Sequence, residues 1–325
     1  MMTNQTLNWA IVGTGTIAKE FAGQFSATNA RLYGVSSRRE ETAQAFAQEF
    51  KLEKAYSSFE NLLADPAVDV VYIATPHNTH YDYMMAALEA GKHVVCEKVI
   101  TINKKQLDAA YQLAKEKQVY LFEAMTIHYM PLYQNLFDWL AKEKLGPLKM
   151  VQVNFGSYKD TDPRYYYFNK ELAGGALFDI GVYALHFTRW FLSSQPTEIQ
   201  SMAHLHQSGV DESSVIMLKN KENELANISL TFRAKLPKQG VVAYEEGYVT
   251  ITDYPRSNRA VLTRNTGEVS VFEQGKSEEG LAYEAEAISK LIISKEGNPY
   301  IDYSLDVLAI MDEVRSQWGL EYDFE

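Results

Sequence analysis

Cysteine is almost absent: the 325 residues contain one, Cys96. An intrachain disulfide is excluded, and such low usage fits a reducing compartment. No run of about 18 apolar residues occurs, so no segment reads as a membrane-spanning helix. Residues 1–6 are polar and lack the apolar core of a secretory leader, which gives the expectation of a cytoplasmic protein. A basic surplus is also missing. Lys and Arg total 31 against 42 for Asp and Glu, and a net charge of −11 argues against nucleic-acid or anionic-membrane partners, although a local basic pocket for phosphate stays open. No internal repeat is present, and the tyrosine triplet 165–167 is the one biased segment. What remains is a chain with 46% hydrophobic residues, enough to bury a large core and long enough for two domains.

The apolar run 7–12 meets Gly13-Thr14-Gly15-Thr16-Ile17-Ala18 and then a helix-compatible segment. Gly13 permits a tight turn, Gly15 lets a pyrophosphate approach bare backbone, and Ala18 lets the helix pack on a sheet. Free N–H groups at Thr14, Thr16 and Ile17 and the positive helix end would then lie under a phosphate pair. Two glycines alone are weak evidence. The order strand, turn, helix is what makes this a dinucleotide-binding turn.

Further strands are expected at 31–36, 68–74, 94–96 and 119–122, alternating with helices at 40–50, 79–90 and 104–116. That alternation implies a doubly wound parallel sheet. Beyond 124 the texture changes. Longer segments at 148–158, 198–207, 214–219, 225–233 and 241–252 read as strands of a large, mostly antiparallel open sheet, with helices at 175–192, 282–294 and 303–318. The fold class is α/β: a dinucleotide-binding domain at 1–124, followed by an α+β domain at 125–325 for substrate binding and oligomerisation.

Gly13-x-Gly15-x-x-Ala18, Ala74-Thr75-Pro76-His77-Asn78-Thr79-His80, Gly91-Lys92-His93-Val94-Val95-Cys96-Glu97-Lys98 and Gly174-Gly175 leading to Asp179 and Tyr183 occur in this order. Together they resemble the glucose–fructose oxidoreductase / inositol dehydrogenase (Gfo/Idh/MocA) family, along nearly the whole chain. Glu123-Ala124-Met125, Pro131 and the Asp179/Tyr183 pair look most like its dimeric dihydrodiol dehydrogenase and NADP-dependent xylose dehydrogenase branch. The resemblance implies a Rossmann domain, a second domain whose open sheet forms homodimers or homotetramers, catalysis in the cleft between them, and a sugar or polyol substrate.

For the cofactor, the second strand ends in Ser36-Ser37-Arg38-Arg39, with no carboxylate to repel a 2′-phosphate. Ser37 can donate and Arg38 can form a charge-assisted bond worth roughly 1.5–3 kcal/mol. NADP(H) is therefore the expected preference, with NAD(H) as the alternative; the bland reading has Arg38 stacking on adenine or capping a helix. Backbone at Ala74, Thr75 and Pro76, with His80 at the next helix start, is expected to line the cofactor, as are Glu97, Lys98 and the backbone of Glu123. His77 and His80 read as caps or surface groups rather than metal ligands, and no metal site is expected.

Hydride transfer at a hydroxyl-bearing carbon needs a proton partner. Asp179 and Tyr183, four apart in a helical pattern, share a face. Tyr183 is assigned as general acid/base, Lys98 as the cation that eases its ionisation and donates to substrate oxygen, and Asp179 as substrate anchor. His186 could share the face, but a packed histidine is the favoured reading. The family pattern is Glu-Lys-Pro, and Val99 here replaces proline, which is expected to free the backbone after Lys98. His128 stands where the branch has an arginine, and the arginine expected before the Gly174-Gly175 turn gives way to tyrosines 165–167, with Arg164 nearby. These departures leave the substrate open. The leading reading is an oxidoreductase acting on a secondary alcohol or carbonyl of a sugar, polyol or dihydrodiol-like molecule. The alternatives are an NAD-retaining glycosidase of the same family and a non-catalytic dinucleotide sensor.

Overall fold

The structure is a computed structural model that describes residues 6–162 and 165–325. Arg164 lies outside the described residues. The chain forms two compact units. The first runs to Thr101, resumes at Lys105–Met125 and takes in Leu281–Ile301, while Ile102–Lys104, Thr126–Gly280 and Asp302–Glu325 make the second. The sequence reading places everything after 124 in one domain; the chain instead returns to its first unit at 281–301, where the Glu286 carboxylate accepts from the Thr28 N–H at 2.6 Å and Asn298 donates to the Leu121 carbonyl at 2.8 Å.

In the first unit, β1 (Leu7–Val12), α1 (Thr16–Gln24), β2 (Ala30–Ser36), α2 (Glu40–Phe50), β3 (Lys54–Tyr56), α3 (Phe59–Ala64), β4 (Val70–Ile73), α4 (His80–Glu89), β5 (His93–Glu97), α5 (Lys104–Lys117) and β6 (Leu121–Ala124) follow in order. The six strands pair in parallel in the order 3-2-1-4-5-6. Strands β4 and β6 are buried throughout, as a sheet covered on both faces requires. The doubly wound expectation holds. Strand β3 and helix α3 went unread because elements of three and six residues leave no period to detect.

The second unit opens with α6 (Pro131–Glu143), in which Pro131 supplies the ready-made φ of a first helical turn and Leu132, Leu136 and Leu140 form a buried stripe. Then come β7 (Leu148–Gly156), α7 (Val182–Phe191), β8 (Glu198–Leu205), β9 (Asp211–Lys219), β10 (Leu225–Thr231), β11 (Leu236–Tyr244), β12 (Gly247–Thr252), β13 (Arg259–Arg264) and β14 (Val269–Glu273). The sheet order is 14-13-12-11-7-10-9-8, antiparallel except for β7 with β10. The single strand expected at 241–252 is a hairpin, turned at Glu245 and Glu246 where Tyr244 pairs with Gly247. Helices α8 (Gly280–Ser294) and α9 (Ile301–Trp318) complete the order.

Strand β9 shows how this sheet differs from the first. Ser214, Ile216 and Leu218 are buried, whereas Val215 and Met217 are exposed. One face therefore carries the core, including α7, and the other faces outward. Phe187 of α7 sits so close that a Cβ on Gly240 would lie 2.2 Å from its ring.

Candidate active site

In the first unit, the candidate cofactor site lies at the carboxyl ends of the parallel strands, where ligands bind in such sheets. Gly13 has a φ of +105° and an added Cβ would lie 2.3 Å from the Ala74 carbonyl, so the turn after β1 closes against the end of β4 only with glycine there. Its N–H donates to the Ser36 carbonyl at 2.9 Å. Gly15 is different: among the described residues a Cβ would meet nothing within 4 Å, so that side of the backbone is open to a ligand. It caps α1, whose first turn from Thr16 carries no acidic residue. An open cradle at a positive helix end suits a pyrophosphate.

Beside it, Thr14, Ser37, Arg38, Arg39 and Thr42 line an open pocket. The Ser37 and Thr42 hydroxyls share a 2.6 Å hydrogen bond, and Thr42 also donates to the Arg39 carbonyl at 2.7 Å. Two guanidinium-bearing residues with hydroxyls and no carboxylate are a donor set for an anion, which fits a 2′-phosphate.

The loops after β4 and β5 are tied to each other from within. His80 is fully buried, with Nδ1 2.9 Å from the Val99 carbonyl and Nε2 2.8 Å from the Thr75 carbonyl. Burial pushes its proton affinity down, opposed by those two carbonyls and by the Glu123 charge. Glu123 in turn accepts from the Ile100 N–H at 3.1 Å. The backbone after Lys98 is thus held by two buried side chains, not freed by the loss of proline; the Lys98–Val99 peptide is cis. His77 and His80, read from sequence as caps or surface groups, are both buried, with their ring centroids 5.7 Å apart. Among the described residues no three His, Cys, Asp or Glu side chains are grouped to hold a metal.

Glu97 is also buried, and its carboxylate accepts a hydrogen bond from the Tyr72 hydroxyl. Lys98 is half-buried. Cys96 is a buried thiol, pushed up in pKa by desolvation, with Sγ 3.8 Å from the Ile100 carbonyl.

In the second unit, the candidate acid/base residues lie on the helix entering α7. It begins with a π-helical turn, Leu177–Gly181, which carries Asp179, and passes into α7 with Tyr183 in its first turn. The expected regular helix is widened at this point, a feature common at functional sites. From Ala173 through Thr188 every residue is buried except Tyr183, which is partly exposed. Asp179 accepts from the Tyr166 hydroxyl at 3.1 Å, and its other oxygen lies 3.9 Å from the Lys159 ammonium. Lys159 also sits 5.0 Å over the Tyr167 ring. His186 is buried and its Nδ1 meets His128 Nε2 at 2.9 Å, with the His128 ring 4.3 Å from Trp190. Both histidines are buried in the core of the second unit.

Three residues around this helix escaped the sequence reading: Lys159, Asp211 and Tyr322. Asp211 accepts from the Leu177 N–H at 2.8 Å, and Tyr322 donates to the Gly174 carbonyl at 2.8 Å. They are 34 and 148 residues from those partners, so no local spacing announces them.

Residues 7–125 match the model of an oxidoreductase family with an NAD-binding Rossmann fold, and residues 133–250 match the GFO/IDH/MocA C-terminal domain. Among curated relatives, a trans-1,2-dihydrobenzene-1,2-diol dehydrogenase of Xenopus laevis is 32% identical, over 97% of this chain and 98% of the relative. The proteins of that name from Danio rerio and Homo sapiens are each 30% identical, the first over 97% of this chain and 98% of its own length, the second over 75% and 74%. Solved structures with the same fold include a 3-ketoreductase from Actinomadura kijaniata bound to NADP and TDP-benzene, with a TM-score of 0.86 at 20% identity over 96% of this chain and 98% of that one. Levoglucosan dehydrogenase with NADH and levoglucosan also gives 0.86 at 20% identity, over 97% and 98%.

Proposed function

Because the chain belongs to the GFO/IDH/MocA oxidoreductase family, we propose that it moves a hydride between a nicotinamide cofactor and a secondary alcohol or carbonyl of a dihydrodiol, sugar or polyol. Gly13, Thr14, Gly15, Thr16 and Ile17 would hold the pyrophosphate, and Ser36, Ser37 and Arg38 the ribose end, with NADP(H) preferred over NAD(H). Ala74, Thr75, Pro76, His80, Glu97, Lys98 and Glu123 would line the nicotinamide end. The bound cofactor supplies the hydride chemistry.

The chain's own residues handle the proton. Tyr183 takes it from the substrate hydroxyl during oxidation and returns it during reduction. A phenol ionises near pH 10, so at neutral pH that loss is uphill by roughly 4 kcal/mol, and the Lys98 cation lowers the cost. Asp179, fixed by Tyr166 and Lys159, anchors a substrate hydroxyl. The observation that carries this reading is the partial exposure of Tyr183 within the otherwise buried stretch 173–188. The dihydrodiol preference among substrates rests on the relatives at about 30% identity.

The outward face of the second-unit sheet, with Met202, Val215 and Met217 exposed on adjoining strands, is proposed as the surface that pairs subunits into a homodimer or homotetramer. The test of the chemistry is Tyr183→Phe, assayed with trans-1,2-dihydrobenzene-1,2-diol and a panel of sugars by nicotinamide absorbance. The expected loss in turnover is about 10²–10⁴-fold with the NADP dissociation constant unchanged. Unaltered turnover would overturn the assignment.

A further inference from the structure

The turn before Tyr183 contains a carboxylate that the proposed chemistry does not use. Asp211, the first residue of β9, is 1% exposed. Its Oδ2 accepts the Leu177 N–H at 2.8 Å, at the start of the π-helical turn. Its Oδ1 has no hydrogen-bond partner among the described residues. That oxygen occupies the place where a side chain at residue 175 would go: a Cβ on Gly175 would lie 2.3 Å from Oδ1, and the backbone there has a φ of +119°. The Gly174-Gly175 pair is therefore the shape of a seat for Asp211. Tyr322 closes the seat from the C-terminal segment by donating to the Gly174 carbonyl, and the Asp179 N–H returns to the Gly175 carbonyl at 3.1 Å.

The geometry points to Asp211 as the positioning residue of the proposed acid/base, setting the start of the helix that carries Asp179 and Tyr183 through its bond to the Leu177 N–H. This inference rests on the assignment of Tyr183 made above. Asp211 is enclosed by the protein. It acts through the helix, where a carboxylate at the amino end is favoured by the local dipole and a displacement of about 1 Å at the reacting group costs about 10²-fold in rate.

Burial pushes the Asp211 carboxyl up to about 7, so its charge changes within the working range of pH. The titratable group facing it from the C-terminal segment is Tyr322, itself pushed up by burial and by the Asp211 charge, with the Arg315 guanidinium 5.4 Å over its ring. The helix presents the Leu177 N–H and the turn presents Gly175. On its own strand, the neighbouring Glu212 is engaged by His204 and Arg233.

The experiment compares wild type, Asp211→Ala and Asp211→Asn by two readouts. The first is amide hydrogen exchange of the peptide covering 176–183, which needs no substrate. The second is the pH profile of kcat with NADP and trans-1,2-dihydrobenzene-1,2-diol. Asp211→Ala is expected to loosen that peptide and lower kcat by about 10²-fold while the NADP dissociation constant stays put. Asp211→Asn keeps an acceptor for the Leu177 N–H and is expected to restore protection and most of kcat, but to lose an inflection near pH 7. Unchanged exchange in Asp211→Ala, or an inflection that survives in Asp211→Asn, overturns the inference. Failure of the Tyr183 assignment would show separately, as wild-type turnover in Tyr183→Phe.

Discussion

Each unit has one glycine turn of note, and the two are glycine for opposite reasons. At Gly13 the obstacle is backbone, the Ala74 carbonyl just after the neighbouring strand, and a Cβ on the companion Gly15 would meet nothing within 4 Å among the described residues. At Gly175 the obstacle is a buried carboxyl, and the companion Gly174 lies under three carbonyls, from Tyr166, Tyr167 and Asn169. The first turn is cleared for a ligand. The second is filled by the protein. A turn kept open owes its sequence to what binds, whereas a turn packed shut owes it to what must stay still beside it.

The most damaging way to probe this contrast is Gly13→Ala. An alanine must adopt a left-handed φ, at about 1–3 kcal/mol of strain, and also collide with a carbonyl that cannot swing away. Cofactor binding should be abolished, by titration of protein fluorescence with NADPH, while the peptide 176–183 keeps its exchange protection. Intact binding would mean that the turn is less constrained than its geometry indicates.

The packed turn is tested by pH. Asp211 holds its proton more tightly folded than unfolded, so its contribution to stability is complete below its unfolded pKa near 4 and is lost as pH rises through about 7. The swing is on the order of 4 kcal/mol as an upper figure. Asp211→Asn should therefore remove a decline in unfolding free energy between pH 4 and 7 that wild type shows in urea titrations. Parallel curves for the two proteins would remove the carboxyl from the account.

The gentlest probe is Arg38→Ala in the open pocket. Loss of one charge-assisted bond should raise the NADP dissociation constant by one to two decades and leave that for NAD within about twofold. Equal weakening of both would mean that Arg38 stacks on adenine instead of pairing with a phosphate.

The same contrast explains what could be read in advance. The glycine turn, its flanking strand and helix, and the Ser37-Arg38 pocket are encoded within consecutive residues, and the parallel sheet follows from the alternation of apolar runs. Asp179 and Tyr183 can be named as candidates from their spacing, but not the π-helical turn that carries Asp179, beside which Asp211 and Tyr322 bond from far along the chain. His80 was misjudged for a related reason: its partners, the Thr75 and Val99 carbonyls, meet only once β4 and β5 are side by side. The return of 281–301 to the first unit likewise depends on contacts such as Thr28 with Glu286 that no periodicity reports.

The central proposal is that Tyr183 is the general acid/base and that Lys98 is the cation that eases its ionisation. A double-mutant cycle on kcat with Lys98→Met and Tyr183→Phe measures this directly. Groups that work as a unit are strongly non-additive, so the double variant should lose about as much turnover as the worse single variant. Losses that multiply would show that the two residues contribute independently and would contradict the account.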